Sequence, residues 1–204
     1  MPEGFTLTPK RKNKLVLVFI LLVLFILQTL HPQLFERVFS FVFEKTNTYD
    51  FCYPKKLVTV TDGDTIKFLA NTAKKKYLKV RLIGIDAPEM RQTPFGIQSK
   101  DFLEGLINDS LEDKVCCKRG KEPKDKYGRT LADCWVGKTF LNASLIENGQ
   151  AVSYFIGNKN NKYKNLFFKL EEQAEIMKVG FHNPDNLLTE LPYEWRKRER
   201  SQFN

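Results

Sequence analysis

One long apolar run near the N-terminus divides this sequence into two unlike parts. The sixteen residues between Lys14 and His31 read LVLVFILLVLFILQTL, and only Gln28 and Thr29 among them are polar. A membrane-spanning helix needs about 20 predominantly apolar residues, and the apolar core of a signal peptide has about 7–15. The run therefore predicts a membrane-directed segment and disfavours a buried helix of a soluble domain.

The flanks of this run favour an uncleaved anchor over residues 15–31. A cleavable signal ends in small residues of the A-x-A type, whereas His-Pro-Gln-Leu-Phe follows here. Four Lys and Arg residues and one Glu give residues 1–14 a charge of +3, which keeps that end cytoplasmic by the positive-inside rule. We expect a single-pass membrane protein whose body faces the periplasm or the exterior. Secretion after cleavage and an organellar membrane stay open as alternatives.

The rest of the chain has the composition of a basic globular domain. With 204 residues, 42% of them hydrophobic, the sequence excludes disordered and collagen-like classes and a large multidomain machine. The formal charge is +9, so the body carries +6 once the N-terminal +3 is removed. Such a body favours anionic partners, either nucleic acid or a membrane surface.

Short strands followed by helices predict an α+β body. Asp62-Gly63 marks a hairpin turn, and five strands interleaved with helices suggest a small closed barrel. Strands are expected over 57–60, 66–69, 77–85, 115–118 and 130–136, and helices over 95–107, 141–148 and 163–178.

The whole chain divides into five predicted segments. The tail contains the basic residues 196–200, which we interpret as a solvated helix end rather than a phosphate-facing patch. The segments are a cytoplasmic N-terminus (1–14), an anchor (15–31), a juxtamembrane connector (32–54), a folded domain (55–183) and a C-terminal tail (184–204).

Carboxylates follow the ends of two predicted strands. Asp64 lies in the turn Asp-Gly-Asp-Thr, and Asp86 opens the segment Asp-Ala-Pro-Glu. Loops that close adjacent strands can bring such groups together, and Ca²⁺ takes carboxylate, carbonyl and water oxygens. We expect Asp64, Asp86 and a nearby carbonyl to form a weak cation site. The alternative is an ordinary Asp-Gly turn and an Asp that merely ends a strand.

Two arginines, Arg81 and Arg129, are candidates for binding a phosphodiester near that site. Guanidinium groups stabilise the charge that gathers on phosphate oxygens, and Glu89 would activate the attacking water. Arg81 and Asp86 have opposite parity in a regular strand, so the chain must bend between them, and Gly84 is the candidate. A surface ion pair is the commoner role for each arginine alone.

Cationic and aromatic residues lie together in or near the predicted loops. Lys126 and Tyr127 are neighbours, and Tyr154 follows a later strand. This mixture suits phosphate contact and base stacking. A solvated loop and a core tyrosine are the alternative interpretation.

Four cysteines, Cys52, Cys116, Cys117 and Cys134, include no CxxC pair, and both histidines are distant, so a zinc site is disfavoured. In an exported domain either Cys116 or Cys117 could bridge to Cys134 on a neighbouring strand. Buried free thiols in a reducing compartment are the alternative.

Three motifs follow one another along the chain: DGDT at 62–65, VRLIGIDAPE at 80–89 and DKYGR at 125–129. Together they resemble the staphylococcal nuclease (thermonuclease) family over about residues 56–183. The resemblance implies a five-stranded OB-fold barrel with about three packed helices. It also implies Ca²⁺-dependent hydrolysis of DNA and RNA phosphodiesters.

The resemblance assigns roles to individual residues. By analogy Glu89 is the general base, and Arg81 and Arg129 are the catalytic phosphate-binding pair. The implied metal ligands are Asp64, Asp86 and the Ala87 carbonyl, and the implied substrate contacts are Tyr127 and Tyr154, beside Lys126. The arrangement of cysteines resembles exported bacterial members, which implies a Cys117–Cys134 disulfide and leaves Cys52 and Cys116 unassigned.

Two hypotheses about function follow. The first is a monomeric, membrane-tethered nuclease, and the second is a catalytically inactive module of the same fold that binds nucleic acid or protein. An inactive relative is expected to have lost acidic or arginine positions. The first hypothesis is favoured because all five are present: Asp64, Asp86, Glu89, Arg81 and Arg129.

Overall fold

Alternating apolar residues build a mixed β-sheet in the computed structural model, which describes residues 49–155 and 161–202. The predicted cytoplasmic segment, the anchor and most of the connector lie outside these residues. Across 49–155 and 161–202, no helix has both the length and the apolar character needed to cross a membrane.

The described residues form nine strands, which are β1 (Phe51–Pro54), β2 (Val58–Asp62), β3 (Thr65–Asn71), β4 (Lys76–Leu82), β5 (Ile85–Asp86), β6 (Lys114–Lys124), β7 (Thr130–Val136), β8 (Thr139–Phe140) and β9 (Val152–Ser153). The main sheet has seven of these strands in the order β1-β6-β7-β4-β3-β2, with β8 beside β7. The β4–β7 pair is parallel and the other pairs are antiparallel. A second sheet pairs β5 with β9.

The prediction of five strands needs correction. The described residues contain nine strands, and no pairing among them joins the outer strands β1 and β2. These two strands are consecutive in the chain and separated only by the 3₁₀ turn Lys55–Leu57. Strand β1 lies in the segment predicted as connector. Strand β6 extends past the predicted strand 115–118 as far as Lys124. The prediction ended too early because the distal half of β6 is mostly exposed and carries no apolar alternation.

The predicted third strand divides at Gly84. Its backbone has φ +77°, a left-handed conformation that favours glycine, and a Cβ there would lie 2.8 Å from a ring carbon of Phe167. The chain leaves β4 before this residue and enters the second sheet as β5. The predicted bend is confirmed, and it allows Arg81 and Asp86 to face the same site despite their opposite parity.

Helices cover the sheet. The described residues contain four α-helices, of which the first three match the predicted helices to within a residue or so at each end. The fourth lies in the segment predicted as a tail. The helices are α1 (Phe95–Asn108), α2 (Leu141–Glu147), α3 (Lys164–Met177) and α4 (Pro192–Gln202). Apolar residues of α1, α2 and α3 join the sheet core, including Leu103, Leu145 and Phe167, each fully buried.

Two disulfides connect neighbouring strands. Cys117 of β6 is bonded to Cys134 of β7, directly opposite in the strand register, as the resemblance implies. Cys52 of β1 is bonded to Cys116 of β6, so the two cysteines left unassigned pair with each other. The alternative of free thiols is wrong, because no cysteine is free.

Candidate active site

An open groove of about 710 Å³ lies where β4, the bend at Gly84, the 125–129 loop and α4 meet. It brings together all but one of the residues predicted for the site. Lining it are Asp64, Arg81, Ala87, Glu89, Lys126, Tyr127, Arg129 and Tyr154. The exception is Asp86, whose side chain is fully buried next to the groove.

Arg81 joins the two acidic positions. Its Nη2 lies 2.9 Å from Asp64 Oδ2 and 3.0 Å from Asp86 Oδ1, and its Nη1 donates to the Leu82 carbonyl. Asp64 is fixed further by the backbone N–H of Ala87, which donates to Oδ2 at 3.0 Å. One arginine on β4 therefore holds the Asp64 carboxylate of the β2–β3 turn and the Asp86 carboxylate of β5 within reach of a single ligand.

Burial governs the titration of this acidic end. It raises the pKa of Asp86 above its ordinary value, against the hydrogen bonds from Arg196 and the charge of Arg81. Burial, with the neighbouring charge of Asp64, also raises the pKa of Asp62 to about 7. The Asp62 carboxylate accepts a hydrogen bond from the Asp64 N–H at 3.1 Å and lines the same groove.

The donor atoms at this end suit a hard divalent cation. Asp64 and Asp86 offer carboxylate oxygens, and both contact the same Arg81 nitrogen. Within 49–155 and 161–202, no group of three or more His, Cys, Asp or Glu side chains could hold a metal ion. A cation at this end would be held by these two carboxylates, with carbonyl and water oxygens completing its shell.

Asp125 fixes the loop that carries Arg129. Its Oδ1 accepts the backbone N–H groups of Tyr127 and Arg129, each at 2.9 Å, and its Oδ2 accepts Arg129 Nε at 2.7 Å. Burial acts to raise the pKa of Asp125, but the hydrogen bonds from Arg129 outweigh it and lower the pKa. Arg129 is anchored through Nε and lines the groove, and its Nη1 lies 3.4 Å from Thr65 Oγ1.

Arg196 of α4 completes the site and was not among the predicted site residues. Its Nη1 and Nη2 donate to the two oxygens of Asp86 at 3.0 and 2.8 Å, and Nη1 also donates to Glu89 Oε1 at 2.8 Å. Glu89 is more accessible than Asp86, with 37% of its side chain exposed. The interpretation of residues 196–200 as merely solvated is wrong for Arg196, since its guanidinium bridges two candidate functional carboxylates.

Aromatic side chains border the groove on both sides. Tyr127 is 64% exposed, and Lys126 Nζ and Arg129 Cζ lie 5.1 and 5.6 Å from the centroid of its ring. Tyr154 is half-buried and stacks on Tyr193 of α4, with centroids 5.8 Å apart. Tyr154 is thus a groove residue rather than a core residue.

Comparison with known sequences agrees with this geometry. The family described as staphylococcal nuclease homologue matches residues 79–183, which is 105 of the 204 residues. The chain belongs to the staphylococcal nuclease homologue family. The family predicted from the three motifs is therefore confirmed.

Curated relatives carry nuclease names. A thermonuclease of Staphylococcus hyicus is 34% identical over 128 residues, covering 60% of this chain and 72% of that protein. An uncharacterized endonuclease of Haemophilus influenzae is 32% identical over 145 residues, covering 71% of this chain and 74% of that protein. Endonuclease YhcR of Bacillus subtilis is 33% identical over 153 residues, which are 69% of this chain but only 12% of that protein.

The contribution of α4 is the main feature that sequence reasoning missed. Tyr193, Lys197 and Arg200 are spaced as i, i+4 and i+7, which puts them on one helix face. A search for aromatic and cationic residues at helical spacing could have found this face. The contacts of Arg196 with Asp86 and Glu89 had no comparable signal, because they join residues more than a hundred positions apart.

Proposed function

We propose that this chain is a Ca²⁺-dependent nuclease that hydrolyses phosphodiester bonds of DNA and RNA. One observation carries the proposal: two arginines, two carboxylates and a partly exposed glutamate converge on one groove. Membership of the staphylococcal nuclease homologue family and relatives named thermonuclease and endonuclease support it.

Arg129 and Arg81 are proposed to bind the phosphate and to stabilise the charge that develops on its oxygens. Arg129 is held through Nε, so its two Nη groups can donate together to a phosphate. Arg81 is 12% exposed, and its Nη2 already contacts both Asp64 and Asp86. Removing one preorganised donor of this kind typically lowers kcat by about 10²–10³.

Glu89 is proposed to accept the proton of the attacking water. Glu89 is more accessible than Asp86, the other carboxylate that Arg196 contacts, and only its Oε1 accepts a hydrogen bond from that arginine. The backbone N–H of Glu89 donates to Gln92 Oε1 at 2.9 Å, and this hydrogen bond fixes the backbone at Glu89. General base catalysis by a positioned carboxylate contributes about 10²–10⁴ in rate.

Asp64 and Asp86 would hold the cation, with the Ala87 carbonyl as a further ligand. When bound, Ca²⁺ would supply positive charge to a phosphate oxygen. Tyr127 and Lys126 are proposed to contact the nucleotide, since an exposed ring beside two cations suits both a base and its phosphate.

The remaining predictions about architecture and location are also proposals. We infer that β1 and β2 act as two halves of one interrupted strand and so complete an OB-type barrel. We further propose that residues 15–31 anchor a monomer in a membrane, with the folded domain on the periplasmic or outer side. The two disulfides support an oxidising compartment.

The test is cleavage of single- and double-stranded DNA and of RNA by the full chain in detergent, with Ca²⁺, with Mg²⁺ and with a chelator. We expect cutting with Ca²⁺, loss of cutting with the chelator, and a fall of at least about a hundredfold in Arg129→Ala. Lys138→Ala, at an exposed turn outside the groove, is the matched control. Intact substrate from folded wild-type protein under all conditions would instead favour a binding module.

A further inference from the structure

The fourth helix is fixed against the groove rather than free in solution. Arg196 bridges Asp86 and Glu89, as described above, and Arg198 Nε lies 3.0 Å from Glu190 Oε1. On the far side, the Arg91 guanidinium contacts Glu199 at 3.0 Å and lies 5.5 Å from the centroid of Trp195. These contacts hold α4 in one orientation, so the face that it turns toward the groove is defined.

That face forms a second pocket. Tyr193, Lys197 and Arg200 lie one turn apart along the helix, and together with Tyr154 they line a cavity of about 340 Å³. Tyr154, Arg196 and Arg200 line both this cavity and the larger groove. The two spaces are therefore adjacent, and a ligand in the groove needs to pass only these shared side chains to reach α4.

The chemistry of the second pocket is cationic and aromatic. Lys197 and Arg200 are exposed, and neither has an acidic partner within 4.0 Å in the part of the chain that the structure describes. By contrast, Arg196 and Arg198 of the same helix are engaged by carboxylates. Tyr193 is 40% exposed and continues the aromatic surface of Tyr154.

We propose that α4 forms a second nucleotide subsite, in which Lys197 and Arg200 bind the phosphate and Tyr193 stacks on the base of a nucleotide adjacent to the cleaved one. Unpaired cations next to aromatic rings are the pattern by which proteins hold single-stranded nucleic acid. This inference rests on the proposed nuclease function and adds to it a preference for substrates long enough to reach α4. Adjacency to the groove and the stacked tyrosines favour nucleic acid over an anionic lipid surface, for which the cations alone would suffice.

The binding test uses Lys197→Gln/Arg200→Gln in the full chain, with a single-stranded DNA 12-mer in a chelator so that no cleavage occurs. For single-stranded nucleic acid, each phosphate contact contributes about 0.7 to the slope of log Kd plotted against log salt concentration. Removing two contacts should therefore decrease this slope by about 1.4. The control is Lys138→Gln/Lys169→Gln, which removes the same charge at exposed positions outside both cavities. An unchanged slope in the first variant, or equal flattening in both variants, would overturn the subsite.

A cleavage test separates this inference from the proposed function. The ratio of kcat/KM for the 12-mer to that for a dinucleotide should fall at least tenfold in Lys197→Gln/Arg200→Gln and in Tyr193→Ala, mainly through KM. A ratio within twofold of wild type would overturn the subsite. If wild type cuts neither substrate, the nuclease proposal fails, and the salt slope still decides the subsite. Loss of binding to anionic vesicles with an unchanged DNA slope would assign the same cations to lipid and overturn the inference.

Discussion

Replacing Arg196 by glutamine should tighten the binding of Ca²⁺. The guanidinium donates three charge-assisted hydrogen bonds, two to Asp86 and one to Glu89, at 2.8–3.0 Å. A cation that uses Asp86 must compete with this arginine for the same oxygens. Glutamine is shorter than arginine and keeps a neutral donor, but it removes the competing charge.

The size of the effect follows from the contacts. A hydrogen bond to a charged group contributes about 1.5–3 kcal/mol when buried, but solvent screens the more exposed pair with Glu89. Asp86 also keeps its contact with Arg81, so the whole set is better taken as about 1.5–3 kcal/mol than as a sum. Since about 1.4 kcal/mol is a factor of ten, the Kd for Ca²⁺ should fall by about 10- to 100-fold.

Calorimetric titration of the full chain with Ca²⁺ measures this directly, without substrate. Lys197→Gln is the matched control, because it removes one positive charge from the same helix at an exposed position that contacts neither Asp86 nor Glu89. Binding by Arg196→Gln that equals or is weaker than wild type would refute the competition, and equal tightening in Lys197→Gln would attribute it to net charge.

Three further changes test the fold. Burial raises the pKa of Asp133 to about 7, so the folded state binds the extra proton between about pH 4 and 7, and stability should fall as pH rises through that window. Asp133→Asn should weaken the pH dependence of stability and raise the free energy of unfolding at pH 8 by about 2–4 kcal/mol, as measured by urea unfolding. An unchanged dependence of the free energy of unfolding on pH would contradict this prediction. Gly84→Ala should lower the free energy of unfolding by about 2–4 kcal/mol, since it combines a left-handed φ with a Cβ contact below 3 Å. Gly128→Ala has a similar φ but nothing within 4 Å, so equal losses in the two variants would show that the contact is unimportant. Replacing Cys52 and Cys116 together by serine opens a loop of sequence separation 64 and should cost about 4 kcal/mol in the loop-entropy description, as measured by thermal unfolding under non-reducing conditions; a melting temperature equal to wild type would be inconsistent with it.

Periodicity predicted those parts of the fold whose stability depends on local burial. Helices over 95–107, 141–148 and 163–178 were found because apolar residues recur at helical spacing, and their buried positions include Leu103 and Phe167. Helix α4 was not predicted because it is almost entirely polar and is held by ion pairs instead of an apolar stripe. Strand β1 was not predicted because it has only four residues, none fully buried, and its pairing with β6 is a long-range contact.

The composition of the site was more predictable than its geometry. The three motifs contain seven of the eight predicted residues that line the groove, because each motif keeps its functional side chains close together in sequence, and only Tyr154 lies outside them. The full burial of Asp86 and its ion pair with Arg196 were not predictable, since they depend on how α4 packs against β5. Hydrogen-bond partners that are distant in sequence leave no local pattern.

The most direct test of the central claim is the rate of Ca²⁺-dependent cleavage of single-stranded DNA by Glu89→Gln beside wild type. The control is Glu172→Gln, at an exposed position on α3. If Glu89 is the general base, the rate with saturating Ca²⁺ falls at least about a hundredfold, while Glu172→Gln cuts like wild type. Cleavage by Glu89→Gln at the wild-type rate would contradict the proposed mechanism at its centre.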